Sequence, residues 1–295
     1  MKFTADCGPC LMRRVLFQSR LAGNGLEFDA VKAAAGELAA GMDPSMDSVK
    51  VATRVHRAAY DAIRIDDPYL DLKVRADEAA APIAAQLEAI VSASDDPLRA
   101  AVMGAVVGNI MDFGTGTAID DPAMFPSVYD GMVEQGLGLD DTEELRKLIG
   151  DSPGVVYMFD NCGESVLDAV LIDVIRGMGK RVVGVVRGAP ILNDVTVADA
   201  ERSGLDGHLD RLLTTGKFFI GIDWDDVPPE LSAEIGSCGL IIAKGMANYE
   251  ATSGRDLPVP IVHILRTKCG PVAHSLGVPQ NVNVVKVIRP QRIHP

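Results

Sequence analysis

The residues best suited to chemistry sit in short polar runs that follow apolar ones. Gly154-Val-Val-Tyr-Met-Phe159 is β-branched and aromatic, and it ends abruptly in Asp160-Asn161-Cys162-Gly163-Glu164. This reads as a buried strand delivering a carboxylate and an amide to the start of a helix over 165–176, whose apolar residues recur at helical spacing. Acid and amide oxygens placed there suit a hard cation with an anionic ligand. The same two residues would also serve as a helix cap and a turn. A second such run, Asn193-Asp194-Val195-Thr196, comes one strand–helix–strand repeat later. If the two strands are neighbours, about 4.8 Å apart, both carboxylates can reach one ion. Asp160, Asn161 and Asp194 form an oxygen-only set, which favours Mg²⁺, Mn²⁺ or a similar cation over thiolate-bound zinc. Lys244 and Lys268, at the ends of later strands, are placed to hold a phosphate. Asn109 and Asp112 stand three apart in the otherwise apolar run 104–114. Read as one helix face, they would wall a site that satisfies them.

An open parallel sheet brings such groups together, because its strands' C-terminal ends lie on one edge. From Asp151-Ser152-Pro153 onward strands and helices alternate, with strands expected at 155–159, 181–187, 211–214, 238–243, 259–265 and 281–288. The expected fold is therefore α/β, a mainly parallel, three-layer Rossmann-like sheet domain over 151–295. Residues 1–150 read as an all-α domain preceding it. Helical patterns run through 49–63, 70–91, 98–110 and 140–148, with Pro82 expected to bend or split the second. His56 reads as a packing or solvent residue. Cys7-Gly8-Pro9-Cys10 lacks the preceding strand of a dithiol redox site and the second ligand pair of a zinc site. A helix start, with Asp6 as cap and Pro9 in the first turn, accounts for it.

A net charge of −13 argues against nucleic acid or an anionic membrane as partner. A local metal or lysine cluster can still admit an anion to one pocket. The first residues contain no apolar leader segment, and no apolar run approaches the roughly 18 residues of a membrane span. Five cysteines are too scattered for a disulfide framework, so a cytoplasmic protein is expected.

Taken in order, Cys7-x-x-Cys10, Asp67-Pro68-Tyr69, Gly108-Asn109 with Asp112, Asp160-Asn161-x-Gly163-Glu164 and Asn193-Asp194-Val-Thr196 form a recognisable series. Lys244-Gly245-x-x-Asn248-Tyr249-Glu250 and Lys268-Cys269-x-Pro271 complete it. Over nearly its whole length the chain resembles the metal-dependent damage-control phosphatases, long known as domain of unknown function 89, in the branch that carries the cysteine pair. The resemblance implies a helical N-terminal domain on an α/β domain, with Asp160, Asn161 and Asp194 as metal ligands and Lys244 on the substrate phosphate. It places Asn109, Asp112, Glu164 and Asn248 along the site; Met246-Ala247 stand where Gln-Gly is frequent. The activity implied is hydrolysis of phosphate monoesters of small metabolites, such as sugar phosphates or phosphopantetheine-like compounds, with manganese, nickel, cobalt or magnesium. Two rival functions are a carboxyl methyltransferase using S-adenosylmethionine, for which no glycine-rich loop follows the first α/β strand, and a non-catalytic metal- or metabolite-binding protein.

Overall fold

In the computed structural model, which describes residues 1–116 and 119–290, seven strands make one sheet. They are β1 (Leu137–Asp140), β2 (Gly154–Met158), β3 (Arg181–Val186), β4 (Arg211–Thr214), β5 (Ile241–Lys244), β6 (Ile261–Arg266) and β7 (Asn283–Ile288). Their order is β1-β7-β6-β5-β2-β3-β4, and every pairing is parallel except the antiparallel β6–β7. From β2 the chain builds outward through β3 and β4, then returns to β2's other side and builds through β5 and β6. Strand order thus reverses between β2 and β5, the crevice where open α/β sheets bind ligands. Right-handed crossovers put the connecting helices α8 (Glu164–Gly177) and α10 (Pro229–Cys238) on opposite faces, since the chain crosses the sheet in opposite directions. Burial of every residue of β2, β5 and β6 explains why these strands read as unbroken apolar runs.

The N-terminal half supplies α1 (Cys7–Ala22), α2 (Glu27–Gly41), α3 (Ser48–Ile63), α4 (Leu70–Ala93), α5 (Pro97–Gly108), α6 (Phe125–Glu134) and α7 (Thr142–Asp151). Helices α1–α3 share a small core around Val15, Ala34, Val55 and Ile63. Helices α4 and α5 pack on α8, and one continuous buried cluster runs from Leu72 and Leu87 through Val106 and Ile149 to Val156 and Ile242. Three short helices complete the second half, α9 (Val197–Ser203), α11 (Gly245–Thr252) and α12 (Gly270–Leu276).

Three expectations need correction. The stretch 1–150 is not all helix, because β1 lies within it and pairs with β7 at the sheet's edge. Four residues, alternately half-buried and exposed and interrupted by Gly138, are too few to show a strand period. Of the two outcomes expected at Pro82, the split does not occur, and α4 runs unbroken past it. Pro82 and Glu78, whose carbonyl the proline cannot bond, are both exposed, so water can serve that carbonyl. Finally, α5 ends at Gly108, so Asn109 and Asp112 lie in the irregular segment after it and share no helix face.

Candidate active site

Asp160 and Asp194 meet because the backbone beyond β2 and β3 folds back on itself. Asn161 and Asp194 form an antiparallel bridge. Around it the Val195 N–H donates to the Asp160 carbonyl and the Cys162 N–H to the Asn193 carbonyl, both at 2.8 Å. Leu192 turns the chain with φ +51°, a left-handed conformation rare for a leucine, while its N–H donates to the Tyr60 hydroxyl at 2.9 Å. Such local strain persists only where surrounding contacts enforce it. The end of β5 closes in from the other side. Gly245 has φ +74°, and a Cβ there would stand 1.8 Å from Asp160 Oδ2, so only glycine fits.

Asp160 does not cap α8. The N-cap is Gly163, and its N–H donates to Asp77 Oδ1 at 2.6 Å. Asp160 instead accepts from Asn161 Nδ2 at 2.9 Å, Asn109 Nδ2 at 3.3 Å and Arg187 Nη2 at 3.3 Å. Asn161 Nδ2 also donates to Glu164 Oε2 at 2.8 Å. Both of its partners are carboxylates, which fixes the amide's orientation chemically and leaves Oδ1 toward the cavity. Arg187, 1% exposed, spans the site: Nε donates to Asp194 Oδ2 at 2.5 Å and Nη1 to Asn248 Oδ1 at 3.1 Å. Burial, then the neighbouring Asp194 and Glu164, push the Asp160 carboxyl well above the usual range. Burial raises Asp194 as well, against the pull of Arg187.

A cavity of about 440 Å³ opens beside these residues, walled by Asp160, Asn161, Asp194, Asp112 and Lys268 among others. Lys268 Nζ donates to the Asn109 carbonyl at 2.7 Å and to Asp112 Oδ2 at 2.9 Å. An ammonium has three N–H donors, so one remains for a ligand. Arg14 Nη2 donates to Asp112 Oδ1 at 2.5 Å. Although burial alone would raise it, Asp112 is held below the usual carboxylate range by Arg14 and Lys268.

Lys244 is not at the cavity, which corrects the role expected for it. Its side chain is fully buried and all three donors are committed, to the Ala105 carbonyl at 2.8 Å, Glu164 Oε1 at 2.5 Å and Asp168 Oδ1 at 2.7 Å. Burial disfavours its charge, yet Asp168 and Glu164 outweigh that and raise its pKa. Asn109, Glu164 and Asn248 also stand behind the wall. Asn109 Nδ2 donates to Glu164 at 2.8 Å, and Asn248 Nδ2 donates to the carbonyls of Phe159 and Lys244 while its oxygen receives Arg187. Five of the nine expected site residues therefore face the cavity and four hold those five in place. Sequence reasoning missed Arg187, Arg14, His56 and Glu250. Arg187 had a readable signal, a base ending the apolar run of β3; Arg14 follows Cys10 by four residues, hence on the same face of α1.

Among the described residues no three His, Cys, Asp or Glu side chains converge as a cation cage. The set here is leaner, two carboxylates and one amide oxygen. That is a donor set Mg²⁺-like ions accept, since they keep several waters and share substrate phosphate oxygens. The raised carboxyls of Asp160 and Asp194 are the mark of close, buried like charges that a cation would relieve.

Residues 3–284 match the family model described as the damage-control phosphatase ARMT1-like domain. A damage-control phosphatase of Archaeoglobus fulgidus is 36% identical over 98% of this chain and 100% of its own length. A second damage-control phosphatase, from Pyrococcus horikoshii, is 31% identical over 74% of each chain. The crystal structure of a DUF89 family protein from Pyrococcus horikoshii superposes with a TM-score of 0.86 at 27% identity, covering 99% of this chain and 100% of that one. On a match that runs almost end to end, in sequence and in fold, the chain belongs to the damage-control phosphatase family with its ARMT1-like domain.

Proposed function

We propose that the chain hydrolyses phosphate monoesters of small metabolites, using a divalent cation held by Asp160, Asn161 and Asp194. The observation that carries this reading is the shared wall: three oxygen donors and an uncommitted Lys268 N–H face one cavity of metabolite size. When bound, the cation supplies Lewis-acid charge against the phosphoryl oxygens and activates water. Lys268 takes the phosphate-binding role expected of Lys244 and offsets charge that develops on the transferring phosphoryl group. Arg187 keeps the Asp160 and Asp194 carboxylates aimed, and either of them can orient the attacking water. Glu164, itself fixed by Lys244, holds the Asn161 amide with its oxygen outward. Leu192 and Ile220 line the same cavity and limit the water that enters with substrate.

The test is release of inorganic phosphate from a panel of sugar phosphates and phosphopantetheine, with manganese, nickel, cobalt or magnesium and again with a chelator. Release should require the metal, and Asp160→Asn should abolish it while leaving the protein folded by circular dichroism. Undiminished turnover in chelator, or in that variant, would refute the assignment. Methyl transfer from S-adenosylmethionine without phosphate release would favour the rival enzyme. Binding without any turnover would favour a metabolite-binding role.

A further inference from the structure

Part of the cavity wall carries acceptors that none of the described residues serves. Glu250 lies on α11, the helix whose Gly245 abuts Asp160 and whose Asn248 holds Arg187. It lines the cavity, and its charged neighbours are the Met1 amine, Arg14 and Asp112 rather than Asp160 or Asp194. Its backbone carbonyl accepts from the Met1 amine, but its carboxylate has no hydrogen-bond partner among the described residues. Burial pushes that carboxyl up to about 7. His56, on α3 and fully buried, lines the same cavity. Its Nδ1 lies 2.7 Å from Gln18 Oε1, and its Nε2 has no partner among the described residues. With Gln18 Oε1 as acceptor, Nδ1 carries the proton. Burial draws the imidazolium pKa down to about 3, so Nε2 stands as a bare acceptor.

Five carboxylates line the cavity, Asp6 and Glu250 included, against the three bases Arg13, Arg14 and Lys268. Arg187 behind the wall makes the bases four, and a divalent cation cancels a phosphoryl dianion. The Met1 amine beside Glu250 makes five, and the set balances. Asp160 and Asp194 share Arg187 and the cation, and Asp112 is tied to Arg14 and Lys268, whereas the Glu250 carboxylate has the Met1 amine and Arg14 as its basic neighbours and a hydrogen bond to neither.

We propose that Glu250 is a specificity-determining residue that receives a protonated amine on the leaving group, with His56 Nε2 accepting a second N–H or O–H donor. The substrate class is then phosphate esters of amino sugars or amino alcohols. This inference rests on the phosphatase reading above and extends it to the organic half of the substrate.

The decisive probes are the non-hydrolysable phosphonomethyl isosteres of glucosamine 6-phosphate and glucose 6-phosphate, which differ only in an ammonium or a hydroxyl at one carbon. Their affinities for cation-loaded protein are measured by calorimetry in wild type, Glu250→Gln and Glu250→Ala. Wild type should bind the amino isostere about tenfold more tightly, the difference between a charge-assisted and a neutral hydrogen bond. Both variants should bring that ratio close to one and leave the glucose isostere's affinity unchanged, which also shows that the cavity is intact. A ratio near one in wild type, or a ratio preserved in the variants, overturns the proposal. Phosphate release from the two parent esters is followed in parallel. Discrimination in binding without release would sink the hydrolytic reading and keep the amine site; release without discrimination would do the reverse.

Discussion

Arg187→Met removes the guanidinium that touches both Asp160 and Asp194. The methionine fills much of the volume and returns none of the charge. Removing one partner from a buried ion pair costs about 3–5 kcal/mol, chiefly because the remaining charge stays desolvated. Here the lower figure applies, since both carboxyls already have raised pKa values and can take up a proton in response. For a chain of this size each kcal/mol moves Tm by roughly 2–4 °C, so the loss in chelator should be about 6–12 °C. A divalent cation restores positive charge between the same oxygens. At a hundredfold excess over its Kd it would contribute about 2.7 kcal/mol in the native state. The variant has more to regain, so metal should raise its Tm further than that of wild type. Differential scanning calorimetry with chelator and with manganese gives both numbers. A loss below about 1 kcal/mol in chelator would refute the reasoning, because the buried carboxylates would then need no clamp. Equal metal-induced shifts in the two proteins would refute the claim that arginine and cation serve the same pair.

The two lysines should part company. Lys244→Met strands Glu164 and Asp168 in the interior and should cost about 3–5 kcal/mol of stability, read from urea unfolding. Lys268→Met leaves Asp112 with Arg14, so it should cost less stability than Lys244→Met while lowering kcat/KM about 100-fold, as loss of one donor to transition-state charge does; undiminished kcat/KM in this variant would restore the phosphate to Lys244. Gly245→Ala drives a methyl to 1.8 Å from Asp160 Oδ2, so that carboxylate must move and calorimetric manganese affinity should fall at least tenfold. Unchanged affinity would mean that Asp160 is not a ligand. Glu250 is raised from 4.5 to about 7, so its favourable contribution is complete below its unfolded pKa and is lost as pH rises through the folded one. Glu250→Gln should therefore gain stability over wild type from about pH 4.5 upward, levelling above about pH 7 at no more than about 3 kcal/mol. A difference that does not vary with pH would show that the carboxyl titrates normally.

The fold was legible wherever burial leaves a period. Strands buried along their length, such as β2 and β5, stand out as apolar runs closed by polar residues, and α8 shows its packed face in the spacing of Leu167, Leu171 and Ile175. An edge strand like β1 has no such constraint. Its partner β7 lies far along the chain, and what makes Leu137–Asp140 a strand is the vacancy beside β7 rather than anything local. The antiparallel turn at β7 has the same origin: a short α12 brings the chain back alongside β6 from the opposite end, and no residue pattern announces direction. Asp96 is recognisable as a cap and does accept from the Arg99 N–H, whereas Asp6 and Asp47 sit at N-cap positions without a side-chain cap bond. Asp47 pairs with Lys2 instead.

In the site, residue type identifies the cavity face better than it identifies the frame behind it. Asp160, Asn161 and Asp194 could be picked out because oxygen donors at adjacent strand ends have few other uses. Lys244 could not be placed, because a lysine ending a buried strand can reach outward to a ligand or turn under the neighbouring helix. What decides is Asp168, one turn after Glu164 on α8, together with a carbonyl from α5. Once the inward path is taken, the spacing of the motif follows from bond geometry. Lys244 fixes one oxygen of Glu164, the other oxygen fixes the Asn161 and Asn109 amides, and both amides point at Asp160. On the other flank Asn248, one turn after Lys244, fixes Arg187 and so Asp194. The residues that look catalytic by chemical type are thus suspended from residues that look catalytic by position. A change in the supports should strike cation affinity and stability together, because each support is a buried charge or amide whose several partners lose their bonds with it.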